Sequence, residues 1–464
     1  MELISINPST EELIERFSPH SGKEVISIID KSQKAFNEWR KISITKRKDF
    51  LKHISNNLKT NKRTYAEIIT KEMGKPITEA LAEIEKCALL CDYFCENAEE
   101  FLKPEKRTGA INHAKENIVS FEPMGTILAI MPWNFPFWQV FRCAIPTLLA
   151  GNCVILKHAP NVSRSALTIE NIIQESGIVE DVFRVILIEN ERVSEFTEVL
   201  LSHPQVVGVS LTGSVAAGKA VAQIAGKYLK KSVMELGGSD PFIVLEDADI
   251  EETVQVAAMA RCQNTGQSCI AAKRFIILDS VYEKFKELFL QEMSLYAQSI
   301  GDPLKETTRI GPIARKDLLD KLISQVEDAK QKNVNVLLGG NRADFSKGYF
   351  YQVTVLENIT KEMNLYSEEI FGPVASLYRV SSIEEAIAIA NDTPYGLGAS
   401  LWTKNLDLAK KIIPELFFGN VFVNSLVKSD PALPFGGIKE SGYGRELSIE
   451  GIKEFVNIKT IRIY

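Results

Sequence analysis

The chain has no apolar run approaching the roughly 20 residues needed to cross a bilayer. Its start, Met1-Glu2-Leu3-Ile4-Ser5, shows no basic stretch leading into a long apolar one, so no secretory leader is expected. Positive charge is not in excess: 54 Lys and Arg stand against 60 Asp and Glu, a net charge of -6. That balance argues against nucleic acid or an anionic membrane surface as the main partner. A disulfide framework is missing too. The seven cysteines are odd in number and scattered, the pattern of a reducing compartment, so a cytoplasmic location is expected. No CxxC pair occurs. Cys87, Cys91 and Cys95 recur at i, i+4 and i+8 without a histidine, which reads as the packed face of a helix; no metal is expected. Internal repeats and low-complexity segments are absent as well.

What is present is a soluble globular composition, 45% hydrophobic and 25% charged, over 464 residues. That length exceeds one hydrophobic core and predicts two or three domains. Residues 22–39 carry Val25, Ile28, Ile29, Ser32, Phe36 and Trp39 at helical spacing. Helices continue over 46–102, broken at Gly74-Lys75-Pro76. From residue 117 strand-like apolar runs alternate with helical stretches, at 125–132, 153–157, 182–187, 206–212, 232–235 and 242–245. This alternation predicts a doubly wound parallel α/β sheet. After Gly237-Gly238 a second unit follows, with helices at 281–297, 315–332 and 383–391 and strands at 334–338, 375–380 and 421–424. Each half is expected to hold its own sheet, with a cleft between them. The tail, 458–464, alternates like a strand with no partner nearby in sequence, an edge suited to pairing in an oligomer.

One thiol stands out. Cys269 lies in Gln263-Asn264-Thr265-Gly266-Gln267-Ser268-Cys269-Ile270, among small and polar residues rather than the aliphatic ones that surround a structural cysteine. Hydrogen-bond donors and bare backbone favour a thiolate, so this is a candidate nucleophile as well as a candidate core filler. Five further motifs end predicted strands or turns. Asn134, in Pro132-Trp133-Asn134-Phe135-Pro136, is placed to donate to an oxyanion or to form a turn. Lys157 ends a strand, where it can hold ribose or phosphate or simply be solvated. Leu211-Thr212-Gly213-Ser214, with Gly218 after it, runs strand–turn–helix and offers backbone N–H groups to a phosphate, although it is neither GxGxxG nor a Walker loop. Glu235, in Met234-Glu235-Leu236-Gly237-Gly238, is an apolar-set carboxylate with an expected raised pKa, fit for a general base or a buried salt bridge. Glu369 and Phe371, in Glu368-Glu369-Ile370-Phe371-Gly372-Pro373, offer a carboxylate for hydroxyls beside a ring for a flat heterocycle.

Taken in order, and with Pro434-Phe435-Gly436-Gly437-Ile438-Lys439-Glu440-Ser441-Gly442-Tyr443-Gly444-Arg445-Glu446 closing the series, these motifs resemble those of the NAD(P)-dependent aldehyde dehydrogenase superfamily over nearly the whole chain. The resemblance implies an α/β fold of two doubly wound domains, cofactor-binding (1–114 and 132–235) and catalytic (236–440), plus a β oligomerisation flap and tail (115–131 and 441–464). It implies a homodimer or homotetramer. It implies Cys269 as nucleophile, Asn134 and the Cys269 backbone N–H as oxyanion donors, and Glu235 as the base that activates a hydrolytic water. It places Trp133, Lys157, Pro160, Gly213, Ser214, Gly218, Glu369 and Phe371 on an NAD or NADP cofactor. Many NAD-preferring members carry Glu where this chain has Pro160, so NADP should be tolerated.

Residues 132–142, 157–160 and 429–431 most resemble succinate-semialdehyde dehydrogenases of the shorter bacterial type. Arg142 and Ser429 are the implied ligands of a substrate carboxylate. Some members of that group carry a second arginine where this chain has Gln263, so a broader or different small aldehyde is the alternative. Ile270 and Ala271 leave no neighbouring cysteine for a disulfide switch. A cysteine thioesterase without redox chemistry is a further reading, opposed by the intact cofactor positions.

Overall fold

In the computed structural model, residues 2–109 and 114–464 are described. The helix Gly22–Trp39 buries the six residues expected of it, and its start is fixed by a capping box in which Ser21 and Glu24 satisfy each other's backbone N–H. The predicted break near residue 74 is real. The helix Lys62–Met73 ends on Gly74 in the left-handed conformation, and Ile77–Leu102 begins after Pro76. Cys87, Cys91 and Cys95 lie on the buried face of that second helix.

Two sheets dominate. The first has six strands, in the order Gly442–Tyr443, Lys231–Glu235, Val206–Thr212, Thr126–Met131, Cys153–His158 and Phe183–Ile186; all neighbours run parallel except the first pair. The chain winds outward in both directions from Thr126–Met131, so this strand is the topological switch point, beyond whose carboxyl end an α/β sheet opens its crevice. Pro132-Trp133-Asn134 follows it directly. The second sheet has seven strands, in the order Asn335–Leu338, Thr354–Glu357, Val374–Val380, Ala272–Leu278, Asp240–Val244, Gly398–Trp402 and Asn420–Val423, antiparallel only at its first pair. Both central strands are buried on both faces, which is why they read as continuous apolar runs.

Two boundaries differ from expectation. Residues 126–131, assigned from sequence to the oligomerisation flap, are the core of the first sheet; the flap sheet stops at Pro123. The run Thr126–Met131 is almost wholly buried, as a central strand must be, whereas Glu116–Pro123 is partly exposed along nearly its whole length. Tyr443 likewise belongs to the first sheet's edge, not to the tail. The tail strand, Val456–Ile463, does have a partner in its own chain. It pairs antiparallel with Glu116–Pro123, which pairs in turn with Glu105–Lys106. Its other edge stays open and carries Ile458, 60% exposed.

Candidate active site

Cys269 sits between the sheets, after a short turn that follows the helix Ile250–Cys262. Asn264, Thr265 and Gly266 are all left-handed, with φ of 54°, 56° and 73°. Two non-glycine residues in that region cost roughly 1–3 kcal/mol each, so surrounding contacts must over-determine them. The contacts are specific. Thr265 Oγ1 accepts from the Gly311 N–H at 2.9 Å, and Gln267 Oε1 accepts from the Ala314 N–H at 2.9 Å. Arg261 donates to the Gly266 carbonyl at 2.6 Å, and Lys273 Nζ donates to the carbonyls of Ser268 at 2.9 Å and Cys269 at 2.6 Å. Gly266 is required because a Cβ would lie 2.4 Å from the Gly372 carbonyl oxygen.

Cys269 alone among the seven cysteines is partly exposed. Its neighbours do not hold a resting thiolate: burial pushes the thiol pKa up to about 12. The polar side chains expected to donate to sulfur are spent on the backbone of the turn instead. In the cofactor-free protein, iodoacetamide alkylation of Cys269 should therefore rise about tenfold per pH unit from pH 7 to 9 without levelling off. A plateau below pH 8, read by mass spectrometry of the modified peptide, would show a thiolate already formed.

Asn134 is buried beside this turn. Its Nδ2 donates to the Gln267 carbonyl at 3.2 Å, and its own carbonyl accepts from Asn264 Nδ2 at 2.8 Å. One Nδ2 hydrogen is thus left over, and the Cys269 backbone N–H donates to no acceptor among the described residues. The approach to Asn134 is braced from below. His158, kept neutral because burial pushes its pKa down to about 4, donates its Nε2–H to the Pro136 carbonyl at 2.9 Å and accepts the Ala159 N–H on Nδ1 at 2.9 Å. Glu83, ion-paired with the buried Lys75, accepts the N–H groups of Phe137 at 2.9 Å and Trp138 at 3.0 Å, closing the start of the helix Trp138–Leu149.

Two cavities meet at Cys269. The larger, about 370 Å³, is lined by Trp133, Asn134, Gly213, Ser214, Glu369 and Phe371. Trp133 and Phe371 meet edge to face, with centroids 5.7 Å apart. Ser214 caps the helix Val215–Lys227, whose first residues reach the cavity wall and present an N-terminus suited to an anion. Glu369 accepts the Gly238 N–H at 2.9 Å and lies 3.7 Å from Lys273. Size, flat aromatic walls and an anion-seeking helix end suit a dinucleotide. Lys157, Pro160 and Gly218 line neither cavity. Lys157 is the penultimate residue of the strand Cys153–His158, where burial pushes its pKa down to about 8 with no carboxylate opposing the shift. Gly218 lets its helix approach Leu236, a packing role.

The smaller cavity, about 140 Å³, is lined by Cys269 together with Lys86, Trp138, Arg142, Gln263 and Ser429. Arg142 is buried, ion-paired with Glu446 and laid over the Phe435 ring at 4.8 Å. Glu235 lines neither cavity. Its carboxyl points into the buried group formed by Arg142 and Glu446, against Gly436, and burial raises its pKa well above the usual range.

The aldehyde dehydrogenase family profile matches residues 2–461. This chain belongs to the aldehyde dehydrogenase family. It is 44% identical to a probable succinate-semialdehyde dehydrogenase [NADP(+)] of Synechocystis and 43% identical to a succinate-semialdehyde dehydrogenase [NADP(+)] of Mycobacterium leprae, each over the full length of both chains. The crystal structure of succinic semialdehyde dehydrogenase from Streptococcus pyogenes, in complex with NADP+, superposes with a TM-score of 0.95 at 37% identity over 99% of both chains.

For an aldehyde dehydrogenase, the sequence motifs recover the lining of the larger cavity well. They miss Lys86, Lys273, His158 and the Lys75–Glu83 pair. Lys86 sits beside Glu85 in a helix and reads as solvated surface. Lys273 opens a strand and reads as its edge. Nothing local to either residue announces a partner more than a hundred positions away or a carbonyl held across a turn.

Proposed function

We propose that this NAD(P)-dependent enzyme oxidises succinate semialdehyde to succinate, with NADP+ accepted. The observation that carries the reading is the 140 Å³ cavity, whose lining joins Cys269 with the cations Lys86 and Arg142 and the hydroxyl of Ser429. It is the right scale for a short aldehyde whose far end is a carboxylate. The names of the relatives from Synechocystis, Mycobacterium leprae and Streptococcus pyogenes agree with it. For the cofactor, an uncompensated Lys157 and a proline at 160 leave no negative charge to repel a 2′-phosphate.

The chemistry follows from the residues. The Cys269 thiol loses its proton to solvent water and the sulfur attacks the aldehyde carbon. The C=O π electrons move to oxygen, which receives the free Asn134 N–H and the Cys269 backbone N–H, giving a thiohemiacetal. Trp133 and Phe371 would hold a nicotinamide, which would supply the hydride acceptor. Loss of hydride from the carbon leaves a thioester on Cys269. Glu235 then takes a proton from water, whose oxygen adds to the thioester carbon; collapse expels the sulfur and frees the acid. Glu235 must turn from its buried position to do so.

Initial rates on a panel of aldehydes, each with NAD+ and NADP+, test the reading. The expected order has succinate semialdehyde with NADP+ highest in kcat/KM; an uncharged aldehyde leading the panel would overturn it. The open edge of Val456–Ile463 further supports a homo-oligomer, whose mass light scattering would read directly. A cytoplasmic location fits a cysteine nucleophile that must stay reduced.

A further inference from the structure

The proposed oxyanion donor, Asn134, does not hold itself in place. Its backbone carbonyl accepts from Asn264 Nδ2 at 2.8 Å. The same Nδ2 donates to the Gln267 carbonyl at 3.0 Å, the oxygen to which Asn134 Nδ2 donates at 3.2 Å. Two amides thus converge on one carbonyl. The Asn264 amide can face this group only one way, since a reversed amide would set Oδ1 against two carbonyl oxygens. These two bonds are all that the Asn264 side chain makes among the described residues, and its Oδ1 has no partner. Its place is therefore inherited from its backbone.

That backbone is left-handed, with φ of 54°, and wholly buried, and its N–H is accepted by Glu79 Oε2 at 2.6 Å. Gln267 holds the Asn264 carbonyl, but from within the same turn. Glu79 is the tie to a different element, the first turn of the helix Ile77–Leu102, 185 positions away. The anchor is firm. The Ile77 N–H donates to the Pro303 carbonyl at 2.8 Å, and a carboxylate is favoured in the first turn of a helix. Glu83 stands four residues on, on the same helix face. One of these carboxylates grips the chain just after Asn134, and the other grips the residue bonded to Asn134. Burial pushes the Glu79 pKa up to about 7, and the Asn264 N–H, Lys75 and Arg309 work against that rise. Glu79 also lines the smaller cavity, but no hydrogen bond joins it to Cys269 among the described residues.

We propose that Glu79 is a positioning residue for the aldehyde oxidation: through the Asn264 N–H it holds the amide that fixes Asn134 for the oxyanion. It takes no proton from Cys269. The assignment rests on Asn134 as the oxyanion donor.

Two readouts on the full-length enzyme test it. One is the pre-steady-state burst of NADPH with NADP+ and the fastest aldehyde of the panel. The other is iodoacetamide alkylation of Cys269, which needs the sulfur and its turn but forms no oxyanion. Asn134→Ala should lower the burst rate about 10²- to 10³-fold. A burst kept within about threefold overturns Asn134 as the donor, and Glu79 with it. Glu79→Met keeps side-chain length and removes the acceptor. Its burst should fall about 30-fold in rate constant, with little change in the aldehyde concentration that half-saturates it, while alkylation stays within about twofold of wild type. Glu79→Gln keeps an acceptor oxygen and should return the burst to within about fivefold of wild type. Added to Asn134→Ala, Glu79→Met should cost less than about threefold further, because the side chain it acts through is gone. With Asn134→Ala impaired, four results each overturn the role of Glu79 and leave Asn134 standing: a Glu79→Met burst near wild type, a Glu79→Gln burst no better than Glu79→Met, losses that multiply in the double variant, or alkylation that falls in step with the burst. If Glu79→Met does not fold, Glu79→Asp carries the same test, with its carboxylate one methylene short of the Asn264 N–H.

Discussion

Replacing Cys269 by Ala should reduce NAD(P)H formation to below about 10⁻⁴ of wild type, with the fold intact. The sulfur is the only partly exposed thiol, and it makes no side-chain hydrogen bond whose loss would loosen the turn. The turn is held by Arg261, Lys273, Thr265 and Gln267 through backbone groups that Ala retains. Ser268 lies next in the chain, but its hydroxyl is a far poorer nucleophile and no neighbouring base activates it. Dinucleotide binding should persist, since Trp133, Ser214, Glu369 and Phe371 are untouched, and quenching of tryptophan fluorescence would read it. Turnover above about 1% in a variant shown by mass to lack the thiol would remove Cys269 from the chemistry.

The second large effect is on water, not on hydride. Glu235→Gln should keep a full pre-steady-state burst of NAD(P)H and lose about 10²- to 10³-fold in steady-state turnover. The substitution keeps size and removes the ability to accept a proton. It leaves the Arg142–Glu446 pair in place, so the smaller cavity keeps its shape. Burial holds the Glu235 carboxyl protonated further up the pH scale than usual. A base must be deprotonated to work, so wild-type turnover should climb as pH rises through that raised pKa, and the variant should lose that climb. A normal steady state, or a missing burst, would each contradict the role.

The parts of this molecule readable from sequence are those where one period dominates. The helix Gly22–Trp39 and the strands Ala272–Leu278 and Val374–Val380 are legible because burial follows helix spacing in the first and covers both faces in the others. Cys269 is legible because its neighbours are wrong for a core. The protonation of its sulfur is not, since that depends on how far the fold buries it. Arg142 reads as a substrate ligand because it follows Asn134 on a helix; only the fold brings Glu446 against it from 304 positions away. Lys86 is hidden for the opposite reason. Its local pattern is that of a solvated helix face, and its meaning comes from Ser429, 343 positions on. The misplaced boundary at 126–131 has the same origin: a strand's sequence does not say which sheet it joins.

The pairing of Val456–Ile463 with Glu116–Pro123 has a consequence for how the protein is made. The second partner emerges from the ribosome about 330 residues after the first. At ~5–20 residues per second, the strand Glu116–Pro123 waits about 20–60 s with one edge unfilled. The helices and both large sheets can close in that interval, and a nascent chain stalled short of residue 456 presents this edge to every other copy on the same polysome.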